Sequence, residues 1–292
     1  MQAVLITAYK NESMLKDLVR YFEDRVRVYV HIDANSTLDP KSIEVLGCRN
    51  LEVWKRYRTE WGSFNHLLSF LEMMRAALGH DDVNYLHLIT GQTLPIRPLS
   101  ELLSRFEDET RVFMQVNDAS TFTREMERRF RYYVVNGNWD RRKKWVKRLY
   151  SLTSLIQKAC FIRRTRIGRY PVRYIGQSDY SLPRDVAAYL VGEYDRSVKL
   201  RFDLRHMNVC EEMYAQQVLM NSPYRDRIVN DNLRYVDWNP RHGHQPAILD
   251  ESDFDRLMDG AFEHDPIFAR KIEVGFSDRL VSMVKGRIGW RS

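Results

Sequence analysis

The chain predicts an α/β fold, a sheet of parallel strands flanked by helices, on three observations. Apolar strand-like runs alternate with helix-spaced apolar positions through the first half. Val26, Val28, Val30 and Ile32 alternate with Arg27, Tyr29, His31 and Asp33, the period of a strand. Asp33, before Asn35-Ser36, and Gly91, before Pro95, fall where strands end, and α/β sheets bind ligands beyond the C-terminal ends of their strands.

Each element follows in order. Ala3–Ala8 is an unbroken apolar run that reads as a buried first strand rather than a signal peptide, since no charged n-region or cleavage site accompanies it. Leu15, Leu18, Val19 and Phe22 follow helical spacing, and Leu51–Trp54 is a short strand. Leu67, Phe70, Leu71, Met74 and Leu78 form a helical stripe. Val83–Ile89 and Val112–Val116 are further strands. In the second half, Trp145, Leu149, Leu152 and Ile156 give a helix whose other face carries lysines and arginines. Leu182–Val191 passes from strand to helix at Pro183, Glu211–Met220 is a helix and Leu233–Trp238 a strand. A polar loop spans Asn239–Pro246, after which Ser252 caps a helix carrying Asp253 and Asp255. Repeats and flexible linkers are absent, so 1–292 reads as one domain, with only a soft division between 1–120 and 121–292.

Composition narrows the class. At 292 residues, 44% hydrophobic and 29% charged, the chain can fold around a sizeable core. No apolar run approaches the roughly 20 residues of a membrane helix. Cys48, Cys160 and Cys210 lie far apart and form no CxxC pair, which disfavours structural zinc or a disulfide framework and fits a reducing compartment. The net charge is +7, yet 141–173 carries twelve Lys or Arg and no acid, so removing those twelve leaves the remainder at −5. Such a segment is a solvated helical face, a contact for anionic lipid headgroups, or a polyanion site.

Phosphate-binding glycine loops, HExxH and a nucleophile elbow are all missing. Asp253-Phe254-Asp255 has the spacing of a metal-holding Asp-x-Asp, but behind Ser252 it reads as a helix cap with acids facing the dipole. His242-x-His244 sits in a loop with no acid in register, and the same reading favours a loop without metal. Glu211 and Glu212 are adjacent and diverge by about 100° on a helix, so they cannot flank one bond as glycosidase carboxylates do. One of them can serve as a single general base. A first-turn position lowers its pKa, while burial and the neighbouring acid raise it. The acid pair and the cation pair Arg270-Lys271 suit a displacement in which an acid takes a proton and cations hold an anionic leaving group.

Eight segments then fall in a familiar order: Ala3–Lys10, Tyr29–Asp33 (YVHID), Trp61–Ser63 (WGS), Leu88–Ile96 (LITGQTLPI), Ser178–Leu182 (SDYSL), Glu211-Glu212 with Val218–Ser222 (VLMNS), Asn232–Trp238 (NLRYVDW) and Phe268–Lys271 (FARK). Together they resemble the core-2/I-branching enzyme family, which includes β-1,6-N-acetylglucosaminyltransferases and peptide O-xylosyltransferases. The resemblance covers nearly the whole chain and is weakest over 120–175. It implies a GT-A type fold, a Rossmann-like mixed sheet flanked by helices, with 1–120 the nucleotide-sugar half and 121–292 the acceptor and catalytic half. It implies an inverting transfer from a UDP-sugar, GlcNAc or xylose, with no cofactor and no divalent metal.

Carried over residue by residue, Glu212 aligns with the catalytic base and Lys271 with the diphosphate-binding lysine, assisted by Arg270. Asp33 aligns with the aspartate that contacts the nucleoside. Ala8 and Trp61 fall in donor-side motifs, and Arg241 or His244 lies near the position of a second diphosphate cation. Gln92, Thr93, Ser178, Tyr180 and Trp238 fall in motifs of the sugar and acceptor pocket. Three motifs depart from the family pattern: Tyr9 replaces a histidine, Thr93 an aspartate, and Cys210-Glu211 a Pro-Asp pair. They leave the donor sugar open. The secretory members' anchor and cysteines are also missing, which implies a cytoplasmic bacterial version acting on a glycan or lipid-linked glycan. The 141–173 segment would then rest on the anionic inner membrane. The rival readings are a nucleic-acid-binding protein using that segment, for which no recognition motif exists, and a degenerate transferase that binds glycans without turnover.

Overall fold

The computed structural model describes residues 1–290 apart from Glu23 and His242, with Glu125 described by its backbone alone. Four parallel strands lead: β1 (Gln2–Ala8), β2 (Arg27–Ile32), β3 (Leu51–Trp54) and β4 (Tyr85–Thr90). With β6 (Val112–Phe113), β11 (Ser181–Pro183) and β12 (Ile228–Val229) they build one seven-stranded sheet in the order β12-β6-β11-β4-β1-β2-β3. β11 runs antiparallel to both β4 and β6, so the sheet is mixed, where alternating strands and helices alone predict parallel pairing. Strands from both halves of the chain share this sheet.

Period-two burial explains the layers. Ala3 and Leu5 of β1 join one apolar cluster, with Phe70 and Met74 of α3 (Phe64–Leu78) and Leu190 of α7 (Arg184–Arg196). Val4 and Ile6 join the other, with Leu15 and Val19 of α1 (Glu12–Tyr21) and Leu280 and Val284 of α11 (Asp278–Ile288). Both faces of β1 are therefore covered, which is why its run is continuously apolar. Each such aliphatic side chain contributes about 1.5–3 kcal/mol when fully buried.

A smaller three-stranded sheet shapes the functional edge. β14 (Phe268–Arg270) lies between β13 (Arg234–Val236), parallel to it, and β5 (Thr93–Pro95), antiparallel, which sets Arg270 opposite Thr93. The FARK and TLP motifs, far apart in sequence, thus become neighbours at the end of β4.

Three expectations are corrected here. The Val112–Val116 strand stops at Phe113, because the amide of Val116 donates to the side-chain oxygen of Asn230 at 2.6 Å rather than to a strand. Glu211–Met220 is two elements, a 3-10 turn over Cys210–Glu212 and α9 (Tyr214–Leu219), broken at Met213. The cap before Asp253 is Asp250, not Ser252: Asp250 and Asp253 form a reciprocal capping box.

The basic segment also differs from its reading. On α6 (Lys144–Ala159), Val146, Tyr150 and Ser154 face inward, while Trp145, Leu152, Leu155 and Ile156 are exposed. The expected apolar stripe therefore faces outward. Arg164 is buried and donates to the carbonyls of Phe130, Asp203 and His206. Arg142, Arg163, Arg169 and Arg173 pair with Asp140, Glu127, Glu193 and Asp118, so part of the basic charge is neutralised by acids outside the segment.

Candidate active site

The site assembles where β1, β2 and β4 end. The amide of Asp33 donates to the carbonyl of Ala8 at 2.8 Å, which ties the two strand ends together. Asp33 Oδ1 accepts from the amides of Asn35 (2.9 Å) and Thr59 (3.1 Å), so the carboxylate is fixed by backbone. Among the described residues no donor meets Oδ2. Gly91 crosses directly over β1: its amide donates to Thr7 O at 2.8 Å, and a Cβ there would stand 3.1 Å from that of Ala8. Glycine permits this close approach.

Beyond it, β14 delivers the cations. Arg270 Nη1 lies 2.7 Å from Asp179 Oδ2, and that carboxylate is wholly buried. Lys271 follows across a cis peptide. Its neighbour Glu273 pairs with Lys10 and accepts from Asn11 at 3.1 Å and Gln92 at 2.8 Å. Burial first, and then the nearby Lys10, hold the Lys271 ammonium below the ordinary lysine range, with Glu273 opposing. Lys10 and Arg270 are paired with Glu273 and Asp179, and among the described residues Lys271 beside them makes no ion pair.

The acid is set by a different device. Val209 adopts a left-handed conformation (φ 54°), and its amide donates to Gly62 O at 3.0 Å. This clamps the Trp61-Gly62-Ser63 loop onto the turn that carries Glu211 and Glu212. The carbonyl of Glu212 accepts from Gly176 at 2.8 Å, fixing the turn from its other side. Glu211 is buried and meets His66 Nδ1 at 3.5 Å, while His66 Nε2 lies 3.4 Å from Thr7 Oγ1 on β1. Glu212 is half-buried. Desolvation, and after it the charge of Glu211, push its carboxyl up to about 8, against the pull of Arg129, Arg270 and Arg141. Arg270 thus acts electrostatically on the acid while sitting beside Lys271. Arg141 also lies over the exposed ring of Trp61, 5.6 Å from its centroid.

The remaining sequence candidates are placed as follows. Gln92 is buried and holds Glu273 and the carbonyl of Ile272, so it supports the cation cluster. Thr93 is buried against Thr90. Tyr180 is a core residue, 3% exposed, packed with the apolar cluster beneath the sheet rather than in a cleft. Ser178 is half-buried beside Asp179, and Trp238 is exposed, its carbonyl accepting from Gln245. Arg241 is enclosed by Asp237 (3.0 Å), Asp250 (3.3 Å) and Asp253 (2.7 Å). The Asp-x-Asp thus holds an arginine through Asp253. His244 is exposed in the turn it forms with Arg241, and His242 lies outside the described residues. Asp179, Glu273, His66 and Arg141 contact or adjoin the candidate residues, and no spacing announced them.

A family model described as Core-2/I-Branching enzyme matches residues 3–258, most of the chain, and the chain belongs to this glycosyltransferase family. The mixed sheet flanked by helices is the GT-A type of fold that the resemblance implies. The Phe268–Lys271 motif lies C-terminal to the matched range. Among solved structures, the galactosyltransferase LgtC in complex with donor and acceptor sugar analogues matches with a TM-score of 0.41 and 7% identity, over 99% of this chain and 95% of that chain. No curated protein matches by sequence.

Proposed function

We propose that the chain is an inverting glycosyltransferase that moves GlcNAc or xylose from a UDP-sugar to a glycan hydroxyl without a divalent metal. The acceptor oxygen attacks the anomeric carbon and its proton passes to Glu212, while the bond from that carbon to the diphosphate oxygen breaks. Lys271 and Arg270 hold the departing diphosphate and Asp33 the nucleoside. The observation that carries this reading is the placement of Arg270. It is anchored on buried Asp179, adjoins Lys271, and is close enough to Glu212 to act on its proton affinity. One side chain thereby joins the leaving-group cations to the base. Asp253 is engaged by Arg241, which supports cations rather than an Asp-x-Asp metal at the diphosphate.

The acceptor we favour is a lipid-linked intermediate of bacterial surface polysaccharide, met at the inner face of the cytoplasmic membrane. No helix among the described residues is long and apolar enough to cross a membrane. Peripheral contact is supported by the outward apolar face of α6, continued by exposed Phe161 and flanked by exposed Lys144, Lys147 and Arg148. Flotation with phosphatidylglycerol vesicles tests the contact, and no binding at low salt would remove it. For the reaction, UDP-GlcNAc and UDP-xylose are incubated with oligosaccharide acceptors, and the product anomer is read by NMR. A β-linked product from the α-linked donor, lost in Glu212→Gln, is expected; a retained α configuration would reject the single-displacement reading.

A further inference from the structure

Glu273 lies two residues beyond Lys271 and has no part in the proposed transfer. Its side chain is 17% exposed, and donors from two other segments share its carboxylate. Lys10 and Asn11 reach it from the segment after β1, Asn11 Nδ2 to Oε1 at 3.1 Å and Lys10 Nζ to Oε2. Gln92 reaches it from the turn between β4 and β5, Nε2 to Oε2 at 2.8 Å. Asn11 gives up its usual role for this contact. It stands at the N-cap of α1 in a left-handed conformation (φ 60°), yet its side chain makes no capping bond and turns to Glu273 instead.

The backbone on either side of Glu273 is held as well. Its amide donates to Ser277 Oγ at 3.0 Å, and buried Ser277 donates to Leu249 O at 2.6 Å. The amide of Leu249 donates to Lys271 O at 2.9 Å, and that of Ile272 to Gln92 O at 3.0 Å. Lys271 itself makes no ion pair among the described residues, so the groups around it decide where its ammonium is presented. On charge alone a carboxylate is out of place beside a diphosphate site, because it repels the ligand. Its three donors give it a different task, which is geometric.

We infer that Glu273 is a positioning residue of the donor site. By drawing Lys10, Asn11 and Gln92 together it closes the segment after β1 and the β4–β5 turn around Lys271, and so fixes the frame from which the ammonium meets the diphosphate. The inference rests on the reading of Lys271 as a diphosphate ligand and adds the residue that holds it in place.

UDP is titrated by calorimetry in EDTA against the full chain, with a thermal melt of each variant. At pH 7.5 Glu273→Gln should bind UDP roughly tenfold more weakly, and Glu273→Asp, which keeps the charge, should recover part of the loss. Ser277→Ala loosens the same loop and keeps the carboxylate, so it should lower the melting temperature with a smaller effect on UDP. The pH dependence is the second readout. Burial first, and then Lys10, hold the Lys271 ammonium below the ordinary lysine range; Glu273 opposes them and Arg270 adds to the lowering. UDP binding is lost as the ammonium gives up its proton, so in Glu273→Gln the loss should begin at lower pH than in wild type or Ser277→Ala. Ionisation of the uracil ring is common to all variants, and the shift between them is what is read. Unchanged or tighter binding in Glu273→Gln would overturn the inference, since the carboxylate would then do no more than repel the donor. Equal losses in Glu273→Gln and Ser277→Ala, with no shift in pH, would also overturn it. UDP binding that survives Lys271→Ala would instead sink the donor-site reading on which it rests.

Discussion

The guanidinium of Arg270 lies 2.7 Å from the carboxylate of Asp179, which has no solvent exposure. The pair locks the end of β14 to the segment before β11, so the cation is presented on a rigid strand rather than on a loop. Removing one partner of a buried pair leaves the other charge uncompensated, at a cost of about 3–5 kcal/mol. Asp179→Asn should therefore lower stability by about 3 kcal/mol, since Arg270 retains some solvent contact, and weaken UDP binding in the folded fraction. Urea denaturation followed by calorimetry separates the two effects.

The pH dependence of turnover follows from Glu212. Its carboxyl is pushed up to about 8, first by burial and then by the charge of Glu211. A base must be deprotonated, so kcat/KM should rise with pH and level off above that value. In Glu211→Gln the like charge is gone and the rise should move to lower pH. A rise that stays in place would show that Glu211 does not act on the base.

Stability should run the other way. A carboxyl whose folded pKa is raised favours the protonated native state. Its contribution is fully present below the unfolded value near 4.5 and is lost as pH rises through about 8. Glu212→Gln removes that loss. The variant should lose roughly 10²–10⁴ in rate yet melt higher than wild type at pH 9, with the difference closing towards pH 4. Thermal melts across pH check the sign.

The turn that carries the acid depends on Gly176. A Cβ at this position would stand 1.8 Å from the carbonyl oxygen of Gln115, a backbone clash that no rotamer relieves. Gly176→Ala should cost about 1–3 kcal/mol or more and displace the amide that holds the Glu212 carbonyl. Loss of turnover exceeding the loss of folded protein, read from denaturation and kinetics on the same preparation, is the expected result.

The sequence made β1, β2 and α3 legible because burial on defined faces leaves a period that letters preserve. The direction of α6 was not legible. A stripe at helical spacing shows that one face is apolar, not whether that face is covered, and here it is the uncovered one. The break at Met213 was hidden because the turn before it begins at left-handed Val209, whose amide is bonded to Gly62 from far along the chain, a contact that local periodicity does not record. Asp250 and Ser252 carry equivalent capping oxygens two residues apart, so the true cap is decided by the reciprocal bond from Asp253. Asp179 and Arg164 look like loop polar residues in sequence and prove to be buried partners. Glu212, Lys271 and Asp33 are candidates by motif resemblance, and the strand pairing of β14 with β5 explains how the second of these reaches the end of β4.

The most direct measurement is calorimetric titration of UDP in EDTA, with wild type and Lys271→Ala side by side. Binding by wild type without metal, abolished in the variant, is the predicted result. No binding in EDTA, with affinity restored by manganese, would contradict a diphosphate held by Lys271 and Arg270.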